Sequence, residues 1–174
     1  MSAAKLTPSE VVDALERDRH LFATLLPGIP VAQREWRPAP DRWTVHEVAC
    51  HLLDEETDDF RTRVRSVLSD PEAPLPPIDP PGWVTERRYA ERDYTAVVEE
   101  FLAERDASVA WLRSLESPRW ENAYEHPRWG AQSARLFLLN WWAHDLLHLR
   151  QIHRLGFEYL ESHGGETLAY AGEW

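Results

Sequence analysis

The strongest constraint on the fold of this chain is that its apolar residues recur every three or four positions in four long segments. This spacing places the apolar side chains along one face of an α-helix, and that face must be buried against other helices. The first segment starts at Thr7-Pro8-Ser9-Glu10 and the second at Thr44-Val45-His46-Glu47. Each has a threonine N-cap and a glutamate three residues later, which is the capping-box pattern. The sequence therefore predicts four amphipathic helices that pack as an all-α four-helix bundle.

Prolines and glycines set the expected ends of these helices. Gly156 is expected to end the fourth helix, because glycine readily adopts the left-handed conformation that follows a helix C-terminus. The connecting segments, about residues 30–43, 71–81 and 118–130, are predicted to be irregular, because no strand-like alternation extends over more than a few residues. The first helix is expected to end at Pro27-Gly28, the second at about Ser69, the third to run from about Asp93 to Ser117-Pro118, and the fourth from about Gln132 to Leu155.

Composition and charge limit the classes of function. A chain of 174 residues with 43% hydrophobic content is expected to form one domain over residues 1–174. A net charge of −11, with no block of basic residues, argues against a nucleic-acid partner. No apolar run approaches the roughly 20 residues of a membrane-spanning helix, and the first residues lack a signal-peptide pattern. We therefore expect no membrane association and a cytoplasmic location.

Two histidines interrupt the apolar face of the predicted fourth helix. Helix positions four apart differ by about 40° in azimuth and about 6 Å in height. Both imidazoles can therefore reach one metal ion at about 2.0–2.1 Å from each nitrogen. The pattern that assigns both histidines to the bundle interior is Phe137, Trp141, His144, His148, Ile152 and Leu155.

A third histidine lies on the inward face of the predicted second helix. His51 is there, with Glu55 one turn further along. We expect His51 to complete the ligand set with His144 and His148. Three neutral imidazoles suit zinc, nickel or iron(II), and they leave at least one coordination position open for water or substrate. Glu55 is the candidate catalytic residue, as a proton relay or as a hydrogen-bond partner of an imidazole.

Other interpretations of these residues stay open. The histidines could be hydrogen-bonded core residues or a solvent-facing pair. His46-Glu47 does not begin an HExxH zinc motif, because the fifth residue is Cys50. The paired Glu-x-x-His motif of di-iron bundles does not occur either.

The remaining polar and aromatic candidates have lesser expected roles. Asp145 is expected either beside the ligands, in support of an imidazole, or in a surface ion pair. Cys50 is the single cysteine and is expected to be a buried, unreactive thiol. At least half of the tryptophans near the site are expected in the core and the rest in a pocket wall: Trp36, Trp43, Trp141 and Trp142. Surface positions are expected for the other histidines, which have no convergent spacing: His20, His126, His153 and His163.

Three blocks of the sequence resemble the DinB superfamily. They are Trp36-Arg37-Pro38, the segment WTVHEVACHL at residues 43–52, and the segment WAHDLLHLRQI at residues 142–152. His126-Pro127-Arg128-Trp129-Gly130 is also similar to the segment before the last helix in many members. The resemblance extends over essentially the whole chain. It implies a four-helix bundle in which His51, His144 and His148 bind a divalent metal, and it implies a homodimer.

The resemblance specifies the site more closely than the reaction. Members include thiol-dependent S-transferases and a mycothiol-dependent maleylpyruvate isomerase, and many others are described only as metal-dependent hydrolases. We expect a metal-dependent transferase that activates a low-molecular-weight thiol toward a small-molecule electrophile. The alternatives are a metal-dependent hydrolase and a non-catalytic metal-binding dimerisation module in which the ion links two helices.

Overall fold

Four long helical segments form the predicted bundle in a computed structural model that describes residues 5–172. The expected single domain over residues 1–174 includes two ends, residues 1–4 and 173–174, that lie outside this described range. Three short 3₁₀ turns also occur in this range: Leu26–Gly28, Tyr89–Glu91 and, after the last helix, Ala169–Ala171. The helices and strands are α1 (Pro8–Leu25), α2 (Val31–Arg34), α3 (Val45–Asp54), α4 (Arg61–Ser69), α5 (Pro80–Glu86), α6 (Tyr94–Ser114), β1 (Ala123–His126), β2 (Gly130–Ser133) and α7 (Ala134–His163).

The second bundle helix is continuous from α3 to α4 through a π-helical turn, Glu55–Phe60. Such turns insert an extra residue into a helix and occur often at functional sites. Here both Glu55 and Glu56 are buried, although they are consecutive in the chain. Asp59 in the same turn is buried as well, so the turn carries three buried carboxylates into the bundle.

Both predicted capping boxes are present at the helix starts. In α1, Glu10 accepts a hydrogen bond from the Thr7 backbone N–H at 2.7 Å, and the Thr7 hydroxyl accepts from the Glu10 backbone N–H. In α3, Glu47 accepts from the Thr44 backbone N–H at 2.8 Å, and the Thr44 hydroxyl accepts in return. These reciprocal bonds satisfy the otherwise free donors of the first turn, so they fix where each helix begins.

Side-chain pairs between the helices give the topology. α6 runs antiparallel to α1, since Arg19 binds Asp106 and Arg113 binds Asp13. The second bundle helix runs in the same direction as α6: Arg61 binds Glu104, and one turn later Arg65 lies 4.9 Å from the Trp111 ring.

Two consecutive bundle helices are thus parallel neighbours, and the chain must return along the bundle between them. Residues 70–93 make this return. Residues 71–81 were predicted to be irregular, and they contain no helix or strand until α5 begins at Pro80; a 3₁₀ turn follows α5. Asp79 caps α5, because its side chain accepts a hydrogen bond from the Gly82 backbone N–H.

The apolar core consists of two clusters with a polar layer between them. One cluster includes Phe22 and Phe101, and the other includes Leu15 and Val109. Arg105 lies on α6 between Phe101 and Val109 and is 1% exposed. The middle of the bundle is therefore polar, which is unusual for a packed core and requires partners for every charge.

Two sequence predictions about the last third of the chain are wrong. The segment predicted to be irregular contains a hairpin of β1 and β2, with His126 paired to Gly130. Strands of four residues are too short to show a recognisable alternation. The fourth helix does not end at Gly156 but continues to His163. A Cβ atom at position 156 would lie 3.1 Å from Gln33 Nε2. The glycine therefore lets the Gln33 side chain approach the helix closely, and it does not end the helix.

Within residues 5–172, no helix is long and apolar enough to cross a membrane.

Candidate metal centre

Three imidazoles converge between α3 and α7 in the polar layer of the bundle. The Nε2 atom of His144 lies 3.1 Å from that of His51 and 3.0 Å from that of His148. His51 and His148 are buried, and His144 is half-buried. The residues predicted from spacing on two helices are therefore together in the folded chain.

The environment of the three rings keeps them neutral. Burial, and then the charge of His148, lowers the pKa of His51 to about 3. Burial, and then the neighbouring histidines, lowers the pKa of His144 to about 2. Burial lowers the pKa of His148 to about 4, against a smaller opposite effect of its hydrogen bond to Gln151. At neutral pH all three rings are neutral, with one ring proton each, which is the form in which histidine binds metals.

The far sides of two rings face polar side chains. His148 Nδ1 lies 2.8 Å from Gln151 Oε1, and with this amide orientation Nδ1 donates and Nε2 keeps a free lone pair. His51 Nδ1 lies 3.8 Å from Glu55 Oε1, too far for a hydrogen bond, and both atoms are buried without another partner. Glu55 thus lies behind His51, on the side opposite to the three Nε2 atoms.

The electrostatics of Glu55 match its burial. Burial, and then the negative charge of Asp59, raises the pKa of Glu55 to about 8. Loss of water from around a carboxylate disfavours its charged form, and a second carboxylate nearby adds to that effect. A cation bound at the histidines would oppose both effects.

The donor set fits a divalent metal ion. Nitrogens that share one ion at about 2.0–2.1 Å lie about 3.0–3.4 Å apart, which matches the separations of both pairs at His144. Without a cation, lone pairs of neutral imidazoles would face one another in a site from which water is largely excluded. The three histidines are the group of potential ligands that the described residues bring together.

Aromatic rings hold the imidazoles in place. The Trp43 ring lies 4.8 Å from the His51 ring, and the Phe60 ring lies 5.0 Å from the His144 ring. Both contacts restrict ring rotation, which favours a preorganised site. Of the four tryptophans named from the sequence, Trp43 therefore contacts a candidate ligand, whereas Trp141 is buried in the core.

A cavity of about 720 Å³ opens beside His144. It lies between the bundle, the return segment and the hairpin. The cavity thus gives a small molecule access to one side of the histidine cluster. Its walls include Phe60, Arg63, Leu75, Pro76, Ile78, Tyr124, His126, Trp129, Phe137, Asn140 and Leu147.

Two of these cavity residues were not recognised from the sequence. His126 was expected on the surface, but it is half-buried and lines the cavity. Trp129 also lines it and stacks on His126 with ring centroids 4.3 Å apart. Their only sequence signal was the segment His126–Gly130. The expectation for His20, His153 and His163 is confirmed, since all three are exposed.

Asp145 does not take part in a surface ion pair. It is fully buried, and its carboxylate accepts two hydrogen bonds from Arg105, at 2.6 and 2.9 Å. Arg105 also donates to Glu56 at 2.9 Å, and the Trp141 indole N–H donates to the same carboxylate. Two members of this buried ionic cluster are neighbours of candidate site residues in the sequence. Asp145 follows His144, and Glu56 follows Glu55.

Cys50 is buried, as predicted. Burial raises the pKa of its thiol to about 12. A thiol with such a high pKa is protonated at neutral pH and is therefore a poor nucleophile.

Comparisons with known proteins agree with this fold. A search of curated proteins finds none that matches the chain. The solved structure of YfiT from Bacillus subtilis is similar, with a TM-score of 0.70 and 19% identity over 88% of this chain and 89% of that one. YfiT is described as a probable metal-dependent hydrolase with an unusual four-helix bundle topology. The family model of the DinB superfamily matches residues 14–152, which include all three histidines. This chain belongs to the DinB superfamily.

Proposed function

We propose that His51, His144 and His148 hold one divalent metal ion and that the site activates a small thiol for transfer to an electrophile. The observation that carries this proposal is that the Nε2 atom of His144 lies 3.0–3.1 Å from the Nε2 atoms of both His51 and His148, beside a cavity. Zinc, nickel and iron(II) all suit three imidazole ligands. A bound ion of this kind would lower the pKa of a thiol or a water molecule in its remaining position.

The lack of a free base favours a thiol as the nucleophile. The acidic residue that lines the cavity, Asp59, is bound to Arg63. Glu55 lies behind His51 and not on the side of the Nε2 atoms. A thiol has a pKa near 8.5, whereas water has one near 15.7, so a thiol needs much less help from a protein base.

Glu55 keeps a role in this proposal as a proton acceptor. Its Oε1 atom lies 3.8 Å from His51 Nδ1, and a cation at the histidines would favour its charged form, so a small approach would let it accept the proton of that nitrogen. A carboxylate in this position orients the imidazole and makes its other nitrogen a better ligand. The predicted relay of a substrate proton to Glu55 stays a prediction.

Hydrolysis is the second candidate reaction. The description of YfiT as a probable metal-dependent hydrolase favours it. The same three histidines would serve, with water as the nucleophile. A non-catalytic module, in which the ion only links α3 to α7, is the third candidate.

Metal analysis and paired assays test the proposal. Purified wild-type protein is expected to contain about one equivalent of metal by elemental analysis. The variant His144→Ala should lose it, whereas His153→Ala, an exposed residue on the same helix, should not. The metal-loaded protein should then consume cysteine-like thiols in the presence of an aryl halide electrophile, and His144→Ala should not. Unchanged metal content in His144→Ala would refute the ligand assignment.

The assays also separate the other two candidates. Release of p-nitrophenol from a neutral ester, without consumption of thiol, would favour hydrolysis. If the ion only links α3 to α7, the protein should have no activity with either substrate. Removal of the ion by a chelator should then lower the melting temperature strongly.

We also propose that the protein is a homodimer. Leu21 on α1 and Leu146 on α7 are 48% and 47% exposed. They lie about one turn beyond Asp18 and Trp142, which are hydrogen-bonded to each other across the two helices. Exposed leucines on neighbouring helices support a contact surface there. Light scattering of the wild type and of Leu146→Glu tests this proposal.

A further inference from the structure

The cavity beside His144 has apolar walls from three parts of the chain. The bundle contributes Phe60 and Phe137, the return segment contributes Pro76 and Ile78, and the hairpin contributes Trp129. A volume of about 720 Å³ is within the range of sites for small molecules. The walls favour a ligand with an apolar body.

The charged groups in the cavity wall cancel. Arg63 and Asp59 form an ion pair with each other. The Arg63 guanidinium also donates to Pro76 O at 3.4 Å and lies 5.8 Å from the Phe137 ring. In the metal-free protein, a charged ligand would lose its hydration here without gaining an opposite charge in the wall.

One polar group in the cavity has a fixed hydrogen-bonding role. His126 Nδ1 accepts hydrogen bonds from the backbone N–H groups of Arg128 and Trp129, at 3.1 and 3.3 Å. A nitrogen that accepts such bonds carries no proton, so the ring hydrogen of the neutral imidazole is on Nε2. Stacking on Trp129 holds the ring in this orientation. The polar group that His126 can offer to a ligand is therefore an N–H donor.

Two amide side chains of the cavity are bonded within the protein to different extents. Gln132 Nε2 donates to backbone carbonyls of the hairpin, at 3.1 Å to that of Trp129. Asn140 Nδ2 donates to the carbonyl of Leu136 at 2.8 Å, which uses one of its two N–H groups. The Tyr124 hydroxyl and the second N–H of Asn140 are therefore the rival donors.

We infer that this cavity takes an uncharged small molecule with an apolar body and one hydrogen-bond acceptor, and that His126 Nε2–H donates to that acceptor. The inference rests on the proposed function only for the statement that this molecule is the substrate. Apolar contacts then give affinity, and the single donor sets the orientation of the ligand relative to His144. His126 is a specificity-determining residue in this arrangement.

Matched fluorophores test the charge and the acceptor separately. N-phenyl-1-naphthylamine and 1-anilinonaphthalene-8-sulfonate share one aromatic skeleton, but only the second carries a charge. The uncharged compound is expected to bind at least about tenfold more tightly, because the cavity offers no counter-charge.

A third fluorophore, prodan, tests the acceptor. It is uncharged and has a carbonyl group, and its emission shifts to the red when that carbonyl accepts a hydrogen bond. Its emission in the wild type should show that shift.

Two substitutions at His126 separate the role of Nδ1 as an acceptor within the turn from the role of Nε2–H as a donor to the ligand. The Oδ1 atom of asparagine can replace Nδ1 as the acceptor in the turn, so His126→Asn keeps the hairpin but loses the distal donor. This variant should bind prodan about fivefold more weakly, with a blue-shifted emission, and should bind N-phenyl-1-naphthylamine as the wild type does. His126→Gln places an amide N–H near the position of Nε2 and should keep the prodan shift. Tyr124→Phe should also keep it.

Titrations of the metal-free protein separate this inference from the proposed metal chemistry. Fluorophore binding there does not depend on whether the histidines hold an ion, and metal content is measured on its own. Ala143→Trp, which fills the cavity from the exposed side of α7, should abolish binding of both uncharged fluorophores. Equal affinity for the sulfonate, binding that survives Ala143→Trp, or a prodan shift lost in Tyr124→Phe and kept in His126→Asn would overturn the inference.

Discussion

The three candidate ligands link metal-site geometry to the stability of the metal-free protein. Their pKa values are lowered from the ordinary value of 6.5 to between about 2 and about 4 by burial. In the unfolded chain each would bind a proton near pH 6.5, whereas in the folded chain each remains neutral to a much lower pH. The contribution of each histidine to stability is therefore fully present above pH 6.5 and is lost as the pH falls below that value.

We predict that each of the three histidines destabilises the metal-free protein by about 2 kcal/mol as the pH falls from 7 to 5. The raised pKa of Glu55 acts in the opposite direction over this range, so the histidine contribution is measured as a difference between variants. Urea unfolding of the wild type and of His144→Phe at both pH values checks this prediction, since the variant should lack about 2 kcal/mol of the acid destabilisation. His20→Ala, an exposed histidine, is the control and should behave as the wild type. Equal pH dependence in all three proteins would contradict it.

Gln151 is a second residue whose effect on the site can be measured. Its side-chain oxygen holds the proton of His148 on Nδ1. Gln151→Leu should weaken zinc binding about tenfold, because Nε2 then shares the ring proton and the ring can rotate. Gln151→Glu keeps an acceptor and should retain the affinity. Competition with a fluorescent chelator measures both constants, and equal affinities in both variants would show that the contact is incidental.

At the scale of single residues, the candidate ligands could be predicted from the sequence, but the side chains that contact and orient them could not. His144 and His148 were recognisable because a polar residue repeats at a helical step on an apolar face. Gln151 and Phe60 carry no such signal, since a glutamine and a phenylalanine are ordinary in any helix. His126 was missed because its position depends on a hairpin that the sequence did not reveal.

At the scale of the elements, the ionic cluster of Arg105, Glu56 and Asp145 joins three of the bundle helices. Arg105 on α6 binds Asp145 on α7 and Glu56 in the π-helical turn. Each of the three side chains is at most 1% exposed. The arginine pairs with both carboxylates, which would otherwise be buried with no opposite charge.

We predict that Arg105→Met destabilises the protein by about 3–5 kcal/mol, because it leaves two buried carboxylates without a cation. Adding Glu56→Gln and Asp145→Asn to Arg105→Met should restore much of the loss, since no charge then remains unpaired. Arg113→Ala is the control, because Arg113 makes exposed ion pairs with Asp13 and Glu16 and should cost at most about 1 kcal/mol. Urea unfolding measures all three proteins. A triple variant less stable than Arg105→Met would contradict the electrostatic explanation.

The helix starts were predictable from local chemistry, and some of the ends were not. Thr7 and Thr44 bond within their own first turns, so four consecutive residues contain the whole signal. Gly156 was wrongly predicted to end the fourth helix. A side chain at this position would crowd Gln33, which is more than a hundred positions away in the chain. The π-helical turn was also not predicted, because its extra residue is stabilised by the partners of Glu56 in α6 and α7.

At the scale of the whole molecule, the sequence predicted a four-helix bundle but not its order. Apolar faces identify helices that must pack, yet they do not say which pairs become neighbours. The parallel arrangement of the second bundle helix and α6 depends on the return of residues 70–93 along the bundle. Side-chain contacts fix this segment to the helix it passes.

Asp54 is the residue that fixes the return segment. Its carboxylate accepts a hydrogen bond from the buried Tyr89 hydroxyl at 2.6 Å and forms ion pairs with Arg87 and Arg92, at 3.1 and 3.3 Å. One buried carboxylate at the end of α3 thus binds three side chains of the segment. Asp58 also binds Arg87, but it is exposed and bonds to that one side chain.

We predict that Asp54→Ala releases the return segment while the bundle stays folded. The Tyr89 hydroxyl would lose its acceptor in a buried position, and the two arginines would lose their common partner, so the segment should open locally at a lower free energy. Trypsin, which cleaves after arginine, should then cut at Arg87, Arg88 and Arg92 at least about tenfold faster than in the wild type, with helical circular dichroism retained before cleavage. Asp58→Ala is the matched control and should be cut at the wild-type rate, because the Asp54 contacts remain. If Asp54→Ala resists trypsin as the wild type does, apolar packing of Trp83 and Ile78 holds the segment instead.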